Sequence, residues 1–253
     1  MSVASPNFRL DGKRALVTGA GRGIGLGIAQ AYSAAGAEVI LCARTRAEIE
    51  SEAETLRAAG LLASALVADV TDVAGFADQI AALPPFDIFV NNAGTNRPKP
   101  LAEVTEDDYD TVLGLNLRAA VFAAKAVTAR MVAAGRGGSV INMSSQMGHV
   151  GAANRTLYCA SKWAIEGFTK ALAVELGIHR IRVNTICPTY IETPMTRGYF
   201  EDPQFRSAVL AKIKLGRLGT VEDITGAAVF LASDTSSLMT GSAVMVDGGW
   251  TSD

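Results

Sequence analysis

The chain has 253 residues, enough for one α/β domain with a sizeable core, and 49% of them are apolar. Its net charge of −2 removes the electrostatic basis for binding nucleic acid or an anionic membrane. Its three cysteines, Cys42, Cys159 and Cys187, are an odd number without CxxC spacing, which argues against a disulfide framework or a zinc site and for reduced thiols in a cytoplasmic enzyme. No stretch approaches the ~20 apolar residues of a membrane helix, and Lys13 and Arg14 precede an apolar run too short for a signal sequence.

Residues 1–10 lack periodicity and are expected to form a flexible tail. Residues 13–18 read as a short buried strand, followed by glycines and a helix from Ile24 to about Ala35. A second strand covers 37–42 and a charged helix 45–59. Strand-like runs recur at 62–67, 86–91, 138–143, 180–186 and 242–247, with helical patterns between them, among them long Ala-rich stretches at 111–134 and 156–177. Strand and helix alternating at this spacing imply right-handed crossovers. The fold class is therefore α/β: a single Rossmann-type, doubly wound parallel sheet of about seven strands with helices on both faces. No linker or repeat divides residues 1–253. The longest non-periodic stretch begins at Pro188, so residues 188–214 are expected to form a lid over the substrate.

The first strand-to-helix turn is Thr18-Gly19-Ala20-Gly21-Arg22-Gly23-Ile24-Gly25. Glycine allows close backbone approach, and the helix start offers free N–H groups to a pyrophosphate. Farther along, Tyr158 and Lys162 are four apart on one helical face, and Ser145 follows a strand that could lie beside that helix. Reducing a ketone needs a proton donor at the oxygen that gains alkoxide character, and oxidation needs a base there. A lysine ammonium one turn from Tyr158 is expected to lower the phenol pKa, and Ser145 could hydrogen-bond the substrate oxygen.

Several motifs occur in fixed order: TGAGRGIG at 18–25, Asp69 in ADV, NNAG at 91–94, Asn116 in LNLR, Ser145, the Tyr158-to-Lys162 pair, then Pro188 and Thr193. In these the sequence resembles the short-chain dehydrogenase/reductase family, from about residue 8 to the VDGGW at 246–250. The resemblance implies an NAD(P)-dependent oxidoreductase whose catalytic residues are Asn116, Ser145, Tyr158 and Lys162. It implies a cofactor site of Gly19, Arg22, Gly23, Ile24, Gly25, Arg44, Asp69, Val70, Asn92, Ala93, Gly94, Tyr158, Lys162, Pro188, Ile191 and Thr193. Within it, Asp69 and Val70 would hold the adenine, Lys162 would grip the nicotinamide ribose, and the positive oxidised nicotinamide would help lower the Tyr158 pKa. Asn116 would order a water linking that lysine to solvent. Read without the family, Asp69 also fits a cap for a helix starting near Thr71. Relatives usually carry Pro-Gly where this chain has Pro188-Thr189, which weakens any transfer of their substrates.

The substrate rim is expected to include Ser145, Gln146, Asn154, Arg155, Tyr158 and Thr189, with Arg97 and Lys99 near its mouth. His149 reads as an ordinary loop residue. A polar, cationic rim suggests a sugar, polyol or sugar acid. Other readings are a 3-oxoacyl-thioester reductase or a non-catalytic nucleotide-binding regulatory relative. An epimerase or dehydratase on this fold would be longer. By resemblance, the acidic residue that ends the second strand of NAD-dependent proteins falls on Ala43, with Arg44 next to it and Arg22 in the glycine turn. Arginine pairs with phosphate through parallel charge-assisted bonds, so NADP is expected over NAD. The family pattern also suggests a homotetramer.

Overall fold

A computed structural model describes residues 5–252. Seven strands, β1 (Arg14–Thr18), β2 (Glu38–Ala43), β3 (Ala63–Val67), β4 (Ile88–Asn91), β5 (Gly138–Met143), β6 (Ile181–Pro188) and β7 (Ala243–Val246), form one sheet. Its order is β3-β2-β1-β4-β5-β6-β7, and every pairing is parallel. The helices are α1 (Gly23–Ala34), α2 (Arg46–Ala58), α3 (Val73–Ala82), α4 (Glu106–Leu113), α5 (Ala120–Ala134), α6 (Thr156–Leu176), α7 (Pro203–Lys212) and α8 (Val221–Ala232).

Alternation along each strand sends side chains to two separate cores. Ala15, Val17, Val39 and Leu41 join α1, α2 and α8 on one face, while Leu16, Ile40 and Cys42 join α3, α5 and α6 on the other. Because both faces are covered, the strands read as continuous apolar runs rather than alternating ones. β1 pairs with β2 on one side and β4 on the other. The chain thus reverses its direction of winding there, opening a crevice at the carboxyl ends of these two strands.

Three expectations need correction. The expected flexible tail ends before residue 10: Leu10 is fully buried, and its N–H donates to the Ala35 carbonyl at 2.8 Å. Residues 1–4 lie outside the described residues. Second, α4 and α5 join through a π-helical turn at Gly114–Ala119 into one run, Glu106–Ala134, long and apolar enough by length and composition to cross a membrane. Its buried residues, Val112, Ala119, Ala123, Val127 and Met131 among them, include the packing face over the sheet, the position of a core helix. Third, the expected non-periodic stretch, Pro188 to about Asp202, holds a 3-10 turn at Arg197–Glu201 before the chain enters a helix. Asp202 accepts the Gln204 N–H at 2.9 Å, Pro203 opens the first turn, and α7 follows.

Candidate active site

The crevice contains a cavity of about 330 Å³. The glycine turn forms one wall. Gly19 has φ +66°, and a Cβ on it would stand 2.9 Å from Asn92 Nδ2. At Gly25 a Cβ would meet the Gly19 carbonyl oxygen at 2.3 Å. Only glycine lets this turn close tightly on the start of α1. The turn is braced from β4. Thr18 Oγ1 accepts the Asn92 and Ala93 N–H groups at 3.0 and 3.2 Å, and Asn92 Nδ2 donates to the Thr18 carbonyl at 2.9 Å.

Every residue expected at the cofactor site lines this cavity: Gly19, Arg22, Gly23, Ile24, Gly25, Arg44, Asp69, Val70, Asn92, Ala93, Gly94, Tyr158, Lys162, Pro188, Ile191 and Thr193. Asp69 is not a helix cap. Its Oδ1 accepts the Thr71 N–H and hydroxyl at 2.9 and 2.7 Å, while Asp72 caps α3. The far corner of the cavity carries two exposed arginines, each held loosely by an acid: Arg22 lies 3.9 Å from Glu48 and Arg44 lies 3.7 Å from Asp69. Ala43, next to Arg44 in the chain, also lines the cavity and adds no charge.

Ser145, Tyr158 and Lys162 converge on the opposite wall. Lys162 is buried and donates to the Met143 carbonyl at 2.8 Å, with its nitrogen 5.5 Å from the centre of the Tyr158 ring. Burial lowers the lysine to about 8, so at neutral pH it remains ammonium. The lysine alone does not lower the Tyr158 pKa. Burial pushes it up to about 12, and the Ser145 hydroxyl only partly offsets this. The positive oxidised nicotinamide, the other half of the expectation, would act when bound. Desolvation disfavours the phenolate more than the neighbouring charges favour it, so the phenol keeps its proton. Asn116 sits in the π-helical turn, which breaks the regular helix beside Lys162. Its Oδ1 accepts the Thr95 N–H at 2.8 Å, and its Nδ2 donates to the Thr95 carbonyl and to Ser161 Oγ. Asn116 therefore lies behind the cavity wall rather than in it.

The substrate rim differs more from expectation. Ser145 and Thr189 line the cavity, but Gln146, Asn154 and Arg155 do not. Gln146 is buried, and its Oε1 accepts the Ser145 hydroxyl at 2.7 Å, so it orients the serine. Asn154 is exposed with φ +59°. Arg97 and Lys99 are not free cations. Both pair with the buried Asp108, Lys99 at 2.7 Å, and Arg97 also pairs with Asp107. The Lys99 ammonium, then the Thr105 N–H, hold the Asp108 carboxyl well below its usual range. Arg155 has no carboxylate partner among the described residues. It is buried, stacks on Tyr199 at 5.3 Å, and acts electrostatically on both Tyr158 and Tyr190.

Sequence reading missed Glu48, Thr95 and Leu115 on the cavity wall. Glu48 lies more than twenty residues from the glycine turn and carries no motif. It also missed a cluster of His149, Glu166 and Cys187, which come together only through the packing of α6 against β6.

The cavity fits a dinucleotide. A Cβ at Gly19 or Gly25 would fill the turn where a pyrophosphate approaches, and Thr189 Oγ1 is a buried polar atom on the wall without a hydrogen-bond partner. Fold and site together define a dinucleotide-binding α/β oxidoreductase. Residues 19–251 match the family model described as enoyl-(acyl carrier protein) reductase. The chain is 41% identical to L-xylulose reductase of Bos taurus, over 96% of this chain and 98% of that one. It is 40% identical to gluconate 5-dehydrogenase of Gluconobacter oxydans, over 96% of each. A solved gluconate 5-dehydrogenase from Burkholderia cenocepacia, in complex with NADP and tartrate, superposes with a TM-score of 0.94 at 35% identity, covering 98% of both chains. The chain belongs to the short-chain dehydrogenase/reductase family and is an NAD(P)-dependent oxidoreductase.

Proposed function

We propose that this enzyme interconverts a carbonyl and an alcohol on a small polyhydroxylated substrate, a sugar, polyol or sugar acid, with NADP(H) preferred over NAD(H). The convergence of Ser145, Tyr158 and Lys162 on one wall of the dinucleotide cavity carries the reading. A bound nicotinamide supplies or accepts the hydride. Tyr158, whose phenol keeps its proton at neutral pH, gives that proton to the carbonyl oxygen as it becomes an alkoxide and takes it back in the reverse direction. Ser145, turning its hydroxyl proton from Gln146 Oε1, donates to the same oxygen. Lys162 places a positive charge beside the Tyr158 ring, and Asn116 holds the Thr95 backbone and Ser161 so that this wall keeps its shape.

Two observations favour sugar acids within that class. Arg155 is a buried cation without a carboxylate partner among the described residues, close to Tyr158. The B. cenocepacia relative is a gluconate 5-dehydrogenase holding tartrate. The NADP preference rests on Ala43, Arg44 and Arg22 at the far corner of the cavity, and on the NADP held by that relative. The enzyme is proposed to work as a homotetramer, through an apolar strip on α4–α6 that exposes Tyr109, Phe122 and Trp163. Its free cysteines suit the cytoplasm. The test follows reduced-nicotinamide absorbance with NADP and NAD against sugars, sugar acids, polyols and a long-chain acyl thioester. Fastest turnover of the thioester would overturn the substrate class, and fastest turnover with NAD would overturn the cofactor.

A further inference from the structure

Cys187 is buried near the end of β6, one residue before Pro188 on the cavity wall. Around its Sγ stand three polar atoms from different segments: Glu166 Oε1 at 3.3 Å, His149 Nε2 at 3.4 Å and Thr185 Oγ1 at 3.4 Å. His149 Nε2 lies 3.5 Å from Glu166 Oε1. None of these residues lines the cofactor cavity. The thiol donates to Glu166 Oε1 and Thr185 donates to Glu166 Oε2, so the hydrogen bond left to His149 Nε2 is to the weakly accepting sulfur.

We propose that His149, Glu166 and Cys187 form a binding site for a zinc-class divalent cation, separate from the dinucleotide cavity. The three ligand atoms form a nearly equilateral triangle with sides of 3.3, 3.4 and 3.5 Å. A tetrahedral zinc bound to one sulfur, one nitrogen and one oxygen at about 2.0–2.3 Å requires ligand separations of about 3.3–3.6 Å. The three atoms already stand within about 0.3 Å of the separations such an ion requires. Imidazole, thiolate and carboxylate together suit zinc or cobalt and not magnesium or calcium, which favour oxygen alone. Thr185 Oγ1 donates to the other carboxylate oxygen, Glu166 Oε2, at 3.1 Å and so fixes the ligand from behind.

Ser144 gives an independent indication. Its Oγ is buried beside the Cys187 thiol, and no bond of good geometry satisfies it. It lies beside the cluster, since a Cβ on Gly148 would stand 2.8 Å from Ser144 Oγ and 3.2 Å from Glu166 Cγ. A water completing the metal's tetrahedron would give that hydroxyl a partner. The half-exposed His149 is the ligand that solvent reaches, and the ion enters past it. Binding forms the metal–sulfur bond as the thiol proton leaves to the buffer, with no change of oxidation state. The ion would tie the loop after Ser145, the helix carrying Lys162 and the strand leading to Pro188 into one unit.

The test uses the full-length protein, reduced, stripped with chelator and titrated with Co²⁺. The expected result is one equivalent bound, with a thiolate-to-cobalt charge-transfer band that Zn²⁺ abolishes by displacement. Cys187→Ser should remove the band. Should that variant fold poorly, His149→Gln, at a half-exposed ring, should weaken Co²⁺ binding at least about tenfold while the far-UV spectrum stays unchanged. Absence of a charge-transfer band at one equivalent would overturn the proposal. So would a band that survives unaltered in His149→Gln, since the cobalt would then sit on Cys42 or Cys159. Neither outcome depends on the cofactor or substrate assignment.

Discussion

Replacing Arg155 with leucine separates recognition of a carboxylate from recognition of the rest of the substrate. The guanidinium is buried, its Nη1 donates a long 3.3 Å bond to the Asn154 carbonyl, it hydrogen-bonds the Tyr190 phenol, and its face stacks on Tyr199. No acid among the described residues neutralises it, in contrast to Arg97 and Lys99, which share Asp108. Arg155 stands outside the cavity lining, beside Tyr158 and Tyr190, so a substrate carboxylate that reaches past these rings would meet a desolvated cation. Truncating one partner of such a pair costs about 2–5 kcal/mol, roughly thirtyfold or more in kcat/KM. The lost stacking on Tyr199 adds about 0.5–2 kcal/mol to folding, independent of substrate. The assay compares kcat/KM for a sugar acid and for a neutral ketose or polyol of equal length in both proteins. The account expects a loss of at least about thirtyfold on the acid and under about threefold on the neutral substrate. Equal losses on both would make Arg155 a packing residue for the lid, and no loss on the acid would place the carboxylate elsewhere.

Ala43→Asp puts a carboxylate next to Arg44 on the cavity wall, and the NADP-to-NAD ratio of kcat/KM should fall at least about tenfold, worth ~1.4 kcal/mol; an unchanged ratio would move the 2′-phosphate away from this corner. Gly25→Ala drives a methyl to within 2.3 Å of the Gly19 carbonyl oxygen. Overpacking against backbone costs about 1–3 kcal/mol, so calorimetry should show cofactor affinity reduced about tenfold or more, and unaltered affinity would mean the turn does not cradle the ligand. Lys162 has a folded pKa of about 8, below its ordinary value of 10.5. The unfolded chain therefore holds the proton more tightly, and burying this lysine costs stability below pH 8 that is recovered as pH rises toward 10.5. Against Lys162→Met, the wild type should gain Tm steadily between about pH 8 and 10; a constant or shrinking difference contradicts the buried-ammonium assignment.

The sheet was legible because both its faces are covered: runs such as 39–43, Val-Ile-Leu-Cys-Ala, are apolar from end to end. The glycine turn and the Tyr158–Lys162 spacing were legible because they depend on local geometry, one on φ and the other on helical period. What escaped depends on charges meeting across the fold. Nothing local ties Lys99 to Asp108 or Arg22 to Glu48, so the rim looked more cationic than it is. The phenol pKa escaped for a related reason. Spacing placed the lysine beside Tyr158, but the extent of burial, which decides the sign of the shift, belongs to the packed molecule. His149, Glu166 and Cys187 lie on a loop, a helix and a strand, and no spacing rule joins them.

The measurement that bears most directly on the account is turnover and cofactor binding in Tyr158→Phe beside the wild type. NADPH absorbance reports turnover on the best substrate of the sugar, polyol and sugar-acid panel, and NADPH fluorescence reports binding. Removing only the hydroxyl should abolish turnover, to below about a tenth of wild type, while leaving NADPH affinity within about threefold. Retention of more than about a tenth of the activity in Tyr158→Phe, or absence of turnover by the wild type across the whole panel, would contradict proton transfer at Tyr158 to a sugar-like carbonyl.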